Sequence, residues 1–124
     1  MSVNLPDFKE RVAKKLGVLP VGNTLSAEDN FLIGQHCDSV QKKLSALDLA
    51  ELDFDDGIDE TYVDVIVAMV ASTLVDEFML VEPKRSQIAA EGALGLPVAS
   101  PAERQLRKIL APTRVSRPVQ TDYF

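Results

Sequence analysis

His36 and Cys37 are the first residues to consider for chemistry, because this 124-residue chain has one histidine and one cysteine. Neighbouring residues on a helix point about 100° apart, given 3.6 residues per turn. The two side chains therefore cannot easily form a nucleophile–base pair. We interpret Cys37 as a small core residue and His36 as a boundary residue. A single cysteine also excludes an intramolecular disulfide and a cysteine-rich zinc site.

The acidic run from Asp53 to Glu60 is the second candidate, since clustered carboxylates can bind calcium. An EF-hand loop needs oxygen ligands at its first, third and fifth positions and glycine at its sixth. Placing Gly57 sixth puts Leu52 first and Phe54 third, and neither has a side-chain oxygen. Paired carboxylates can also do acid–base work, but no histidine lies near this run. The sequence therefore predicts no metal site, no cofactor and no enzyme.

The last fourteen residues, 111–124, differ most from the rest of the chain. Pro112 and Pro118 each fix their own φ, and the residues before them are pushed toward extended geometry. We predict an extended docking arm that a partner orders; a frayed terminus without a role is the alternative. Arginine pairs well with carboxylates, and buried aromatic side chains anchor interfaces. The residues expected to contact the partner are Arg114, Val115, Arg117, Pro118, Val119, Tyr123 and Phe124.

Charge is distributed unevenly along the chain, whose formal net charge is −6. Residues 48–60, the acidic segment, contain seven acids and no base. From Ser100 onward there are five bases and two acids. The two regions can attract each other within one chain or between copies, or both are ordinary solvated faces. The net charge argues against a nonspecific nucleic-acid coat, which needs a basic excess.

The elements that position these residues are predicted to be helices. Helix one covers Leu5 to Leu16, with Asn4 as its N-cap. Helix two starts at the cap Ser26 and ends near Leu49. Its apolar seam is spaced four and three residues apart and consists of Ile33, Cys37, Val40, Leu44 and Leu47.

The remaining elements follow from caps and prolines. Asp59 is predicted to cap a third helix, which is apolar on all sides as far as Met79 and therefore central. Pro83 suits the first position of helix four. Ser100 and Glu103 form a capping box for a fifth piece, which Pro112 is expected to end.

Together these elements predict an all-α fold, a small four- to five-helix bundle over residues 1–110 with an extended C-terminal arm over residues 111–124. The apolar stretch from Tyr62 to Val81 contains three acids, so we interpret it as a buried helix and not as a membrane span. The N-terminus lacks the basic and apolar regions of a signal peptide. We therefore expect a protein made and kept in a cytoplasm.

The order of these elements resembles a known family. Ala-Lys-Lys-Leu-Gly-Val-Leu (13–19) leads to Ser-Ala-Glu-Asp (26–29), an amphipathic helix follows, and Ile-Asp-Glu-Thr-Tyr-Val (58–63) opens the apolar helix. A further helix and a tail with proline, arginine and terminal aromatics complete the chain. Over nearly its whole length it resembles the head-to-tail connector proteins (adaptors, or tail accessory factors) of tailed bacteriophages.

This resemblance implies a structural virion protein made in the host cytoplasm. A homo-oligomeric ring, usually of twelve copies, would attach below the portal protein and present a surface to the next tail component. The ring would extend the channel through which DNA passes without specific binding. The resemblance assigns the grip on the portal to residues 111–124.

Two alternatives remain open from the sequence. A small helical oligomeric regulator or protein-binding module is the alternative function. The acidic segment is either a solvated turn or a channel-facing surface, in which case Asp53, Asp55 and Asp56 would repel DNA phosphates and let a duplex slide.

Overall fold

The computed structural model of this chain describes residues 2–19, 25–52, 54 and 56–115. These residues form five helices and a short pair of strands, which confirms the predicted all-α bundle. The elements are β1 (Ser2–Val3), α1 (Leu5–Leu16), α2 (Ala27–Ala46), β2 (Ile58–Asp59), α3 (Val63–Thr73), α4 (Lys84–Gly92) and α5 (Pro101–Val115).

Three helices begin where the sequence predicts, because their caps are local. The Asn4 side chain accepts a hydrogen bond from the Asp7 amide at 3.0 Å, and Ser26 accepts one from Asp29 at 3.1 Å. Ser100 caps α5 in the same way, accepting from the Glu103 amide at 3.2 Å. Each bond satisfies an amide that the helix itself leaves without a partner.

Helix α2 ends three residues earlier than predicted, and Leu47 does not belong to its buried seam. The Leu49 amide donates to Leu44 at 2.9 Å and the Asp48 amide to Ser45 at 3.0 Å, with Asp48 in the left-handed region at φ 59°. This Schellman arrangement turns the chain and buries Leu49 against the helix end. Leu49 therefore takes the buried place that the seam spacing assigns to Leu47, which is exposed.

Helix α3 starts three residues later than the sequence predicts, with Tyr62 and not Asp59 at its N-cap position. Ile58 and Asp59 instead form β2, which pairs antiparallel with β1 so that Val3 lies opposite Ile58. The Asp59 carboxylate accepts from the Thr61 amide at 2.8 Å, so it closes a local turn and does not cap the helix.

Helix α3 also ends earlier than the apolar pattern suggests, at Thr73 and not near Met79. The hydroxyls of Ser72 and Thr73 donate to the carbonyls of Met69 and Val70, both at 2.7 Å. Such bonds compete with the backbone ladder and weaken a helix end.

Helix α3 nevertheless lies at the centre of the bundle, as predicted. Seven of its eleven residues are buried, and it contacts each of the other four described helices. Helix α1 packs on it, and Phe8, Val12 and Leu16, which lie four residues apart on one side of α1, are all buried. Phe8 meets Phe54 edge to face, with ring centroids 5.1 Å apart.

Helix α4 approaches α3 closely because Gly92 has no side chain. Gly92 is buried, and a Cβ built there would lie 2.6 Å from the carbonyl carbon of Ala68 and 2.9 Å from the Cα of Met69. Gly92 is thus a position at which the two helix backbones meet with no room for a side chain.

Helix α5 continues past Pro112, where the sequence predicts its end, to Val115. Proline removes one amide donor, but its fixed φ near −65° is itself a helical value. The backbone of residues 111–115 is thus helical. The rest of the predicted arm, residues 116–124, lies outside the described residues, and the division into bundle and arm stays a prediction.

Candidate interaction surfaces

The residues predicted to dock on a partner fall largely outside the described part of the chain. Arg114 and Val115 belong to the last turn of α5. Arg117, Pro118, Val119, Tyr123 and Phe124 lie beyond it, outside the described residues.

The acidic segment uses several of its carboxylates locally. Glu60 forms an ion pair with Arg11 of α1 at 3.2 Å, and Glu51 accepts a hydrogen bond from the Ser45 hydroxyl. A hydrogen bond to Thr61 lowers the pKa of Asp59. Asp56 is exposed, whereas Asp53 and Asp55 lie outside the described residues. The predicted channel role of these three aspartates stays a hypothesis.

The bases after Ser100 do not meet the acidic segment within the described residues. Arg107 pairs with Glu103 one turn earlier on α5, at 3.2 Å, while Arg104 and Lys108 are exposed. The other ion pairs of the described bundle join Arg11 to Asp64, Lys15 to Glu91 and Arg85 to Asp76. The attraction between acidic and basic regions is therefore not used inside this part of one chain, and contact between copies stays open.

His36 and Cys37 occupy the positions that the sequence predicts, at a boundary and in the core. The Nδ1 atom of His36 lies 2.8 Å from the Thr73 hydroxyl, which itself donates to Val70. Because that hydroxyl has a single proton, the His36 Nδ1–H donates and the hydroxyl accepts. This bond ties α2 to the end of α3.

Cys37 is expected to be unreactive in the folded protein. It is buried against the core, and burial raises the pKa of its thiol to about 12. The thiolate, which is the nucleophile, is therefore scarce near pH 8. An aromatic disulfide reagent should label the chain only after denaturant is added. Rapid labelling under native conditions would contradict the burial of Cys37.

Several large apolar side chains are exposed, and the sequence reading missed them. Phe31 lies on α2, Met79 and Val81 connect α3 to α4, and Leu96 and Val98 connect α4 to α5. The signal was present for Phe31, which falls about 200° around the helix from Ile33 of the buried seam. A side chain on that side of α2 cannot face the same core.

An open cavity of about 200 Å³ lies between α2, α3 and the end of α4. Its apolar wall contains Ala89, Ala93 and Leu94, with Gly92 between them. Lys43 is the one charged residue that lines it among the described residues, and Ser72 and Thr73 contribute hydroxyls.

Two further depressions differ from this cavity in their lining. One of about 270 Å³ lies between α3, α4 and α5 and carries the carboxylates of Asp64 and Glu91. The other, of about 420 Å³, is a groove between α1 and α2 that Phe31 itself lines, together with Leu5 and Lys9.

In the part of the chain that the structure describes, no group of three or more His, Cys, Asp or Glu side chains is placed to hold a metal ion. Within the same residues, no helix combines the length and apolar character needed to cross a bilayer. Comparison with protein-family models, with curated proteins and with solved structures found no match to this chain.

Proposed function

We propose that this chain is a structural head-to-tail adaptor of a tailed bacteriophage. Copies form a ring below the portal protein, usually of twelve in the connector family that the sequence resembles, extend its DNA channel and join the capsid to the next tail component. The observation that carries the proposal is the exposure of large apolar side chains on three different segments of a small helical body. Exposed apolar side chains that adjoin one another form the patches typical of protein–protein contacts, and these segments are the proposed sites of such patches.

A ring subunit needs several different contact surfaces. Its two neighbours meet unlike faces of the same chain, because a cyclic interface beyond the dimer is heterologous. The portal and the next tail component require further surfaces. Exposed apolar residues on α2 and in the two connections flanking α4 supply separate candidates for these contacts.

The charge of the chain fits a wall along which DNA passes without binding. The formal net charge of −6 repels phosphates, so a duplex gains nothing by adhering to the ring. Exposed Asp56 is the described member of the three aspartates proposed to face the channel. The protein would be made in the host cytoplasm and would function in the virion.

Deleting residues 118–124 is expected to abolish docking to the portal while leaving the melting temperature of the bundle nearly unchanged. The deleted segment carries Tyr123 and Phe124 as the proposed anchors. The buried core of the described residues runs from Val3 to Leu106 and is built from residues that the deletion leaves in place. Co-sedimentation with portal rings encoded in the same genome measures docking, and thermal denaturation followed by circular dichroism measures stability.

A matched pair of variants separates anchoring from tail length. Replacing Tyr123 and Phe124 together by serine should abolish docking as the deletion does, whereas replacing Gln120 and Thr121 together by serine should not. A truncated chain that docks like the full chain would contradict the proposed adaptor role of the tail.

A further inference from the structure

Phe31 is an aromatic side chain that the described residues of the chain leave largely exposed. It is 68% exposed on α2, on the side facing away from the buried seam. Glu28 lies one helical turn before it on the same side, and Asp29 is also in this first turn. The beginning of α2 therefore presents an apolar ring beside negative charge.

The opposite end of α2 presents the complementary features. The cavity of about 200 Å³ has an apolar wall formed by Ala89, Ala93 and Leu94, and Lys43 stands at the last turn of the helix beside it. A dry apolar cavity of about 150 Å³ is sufficient to hold a benzene ring, whereas small-molecule sites usually exceed about 300 Å³. The size of this cavity thus suits one aromatic side chain.

We infer that Phe31 of one copy inserts into this cavity of the next copy, which makes the cavity the contact between neighbours of the proposed ring. Lys43 would lie near the face of the inserted phenyl group, which attracts a cation, and would also meet the Glu28 carboxylate of the inserting copy. An exposed apolar group that fits a pocket elsewhere on the same molecule generates a heterologous contact. This inference rests on the ring assembly proposed above.

The other two depressions fit Phe31 less well. Asp64 and Glu91 line the cavity of about 270 Å³ and already pair with Arg11 and Lys15, and no base among the described residues lines this cavity to attract an aromatic face or the neighbouring Glu28. The groove of about 420 Å³ contains Phe31 itself. Pairing through that groove would be isologous and would stop at a dimer.

Two complementary variants test the contact. Phe31→Ser removes the inserted ring, and because Phe31 is exposed the fold should be preserved. Ala93→Trp fills the cavity and leaves Phe31 intact. Light scattering after size exclusion should show a multi-copy mass for the wild type and the single-chain mass of 13.6 kDa for each variant alone.

Mixing the two variants tests whether Phe31 and the cavity are the two halves of one contact, and a wild-type mass above two copies shows that this contact is heterologous. A Phe31→Ser copy still has an open cavity, and an Ala93→Trp copy still has the Phe31 side chain. One copy of each can therefore associate, and the mixture should reach twice the single-chain mass and no more. Leu47→Ser removes an exposed apolar side chain outside the surfaces proposed for contacts and should keep the wild-type mass. If Ala93→Trp fails to fold, Lys43→Glu replaces it, and adding Glu28→Lys to Lys43→Glu should restore assembly.

Several outcomes would overturn this inference. They are a wild type that does not exceed the mass of two copies, a Phe31→Ser variant that assembles normally, a mixture that does not associate, or an equal loss of mass in Leu47→Ser. Docking of residues 118–124 to the portal is measured separately and depends on neither Phe31 nor the cavity. A failed ring contact is therefore distinguishable from a failed adaptor function.

Discussion

Val70→Asp is expected to lower the free energy of unfolding of the bundle by about 3–5 kcal/mol, the cost typical of an unpaired buried charge. Val70 is fully buried in α3, the helix that contacts all the other described helices. Domains of this size are stable by only about 5–15 kcal/mol, so the variant should be unfolded or close to it. Chemical denaturation followed by circular dichroism measures the loss.

A matched variant, Val70→Asn, isolates the charge from the change in shape. Burial disfavours the ionised carboxyl, so its pKa in the folded variant would lie above the value of about 3.9 that an unfolded chain gives. Between the unfolded and the folded pKa, the folded variant binds more protons than the unfolded chain. Its free energy of unfolding therefore falls as the pH rises through this interval. The difference in free energy of unfolding between the aspartate and asparagine variants should therefore become smaller as the pH is lowered toward 4. If the Val70→Asp variant melted at the same temperature as the wild type, α3 would not be central.

Gly92→Ala is expected to destabilise the bundle by about 1–3 kcal/mol, as overpacking of a core does. The new Cβ would meet the backbone of Ala68 and Met69, and backbone cannot move aside as a flexible side chain can. Helices α3 and α4 would have to separate, which loosens the largest contact in the bundle. Alanine is intrinsically the better helix former by about 1 kcal/mol, so the sign of the effect is informative.

Gly34→Ala is the matched control, since Gly34 is also a helical glycine. A Cβ there would lie 3.2 Å from the Nζ of Lys9, the end of a flexible side chain that can move. This variant should be neutral or stabilised by up to about 1 kcal/mol. Urea denaturation of both variants provides the comparison, and a neutral Gly92→Ala would contradict the close crossing of α3 and α4.

Much of this fold could be predicted from the sequence, because the signals are local. Asn4, Ser26 and Ser100 cap their helices through bonds that span three residues. The buried stripe of α1 follows directly from helical periodicity. The central position of α3 follows from its apolar residues on every side, which no exposed helix could carry.

The helix boundaries that were predicted wrongly depend on partners distant in sequence or on competing local hydrogen bonds. Asp59 has the residue type of a helix cap, yet the pairing of Ile58 with Val3 draws it into a strand. The end of α3 depends on two hydroxyls that bond back to the helix, which a count of apolar residues does not register. Leu47 matches the seam spacing but falls one residue after the last turn of α2.

The candidate interaction surface shows the same division. Periodicity alone places Phe31 opposite the seam of α2, and the sequence alone places acids at one end of that helix and Lys43 at the other. The cavity that suits Phe31 is formed by three helices from distant parts of the chain. It depends on the close crossing that Gly92 permits, and a glycine in a sequence does not reveal which backbone it will touch. Tertiary packing therefore decided where an aromatic side chain could bind, whereas the sequence alone determined which aromatic side chain is left exposed.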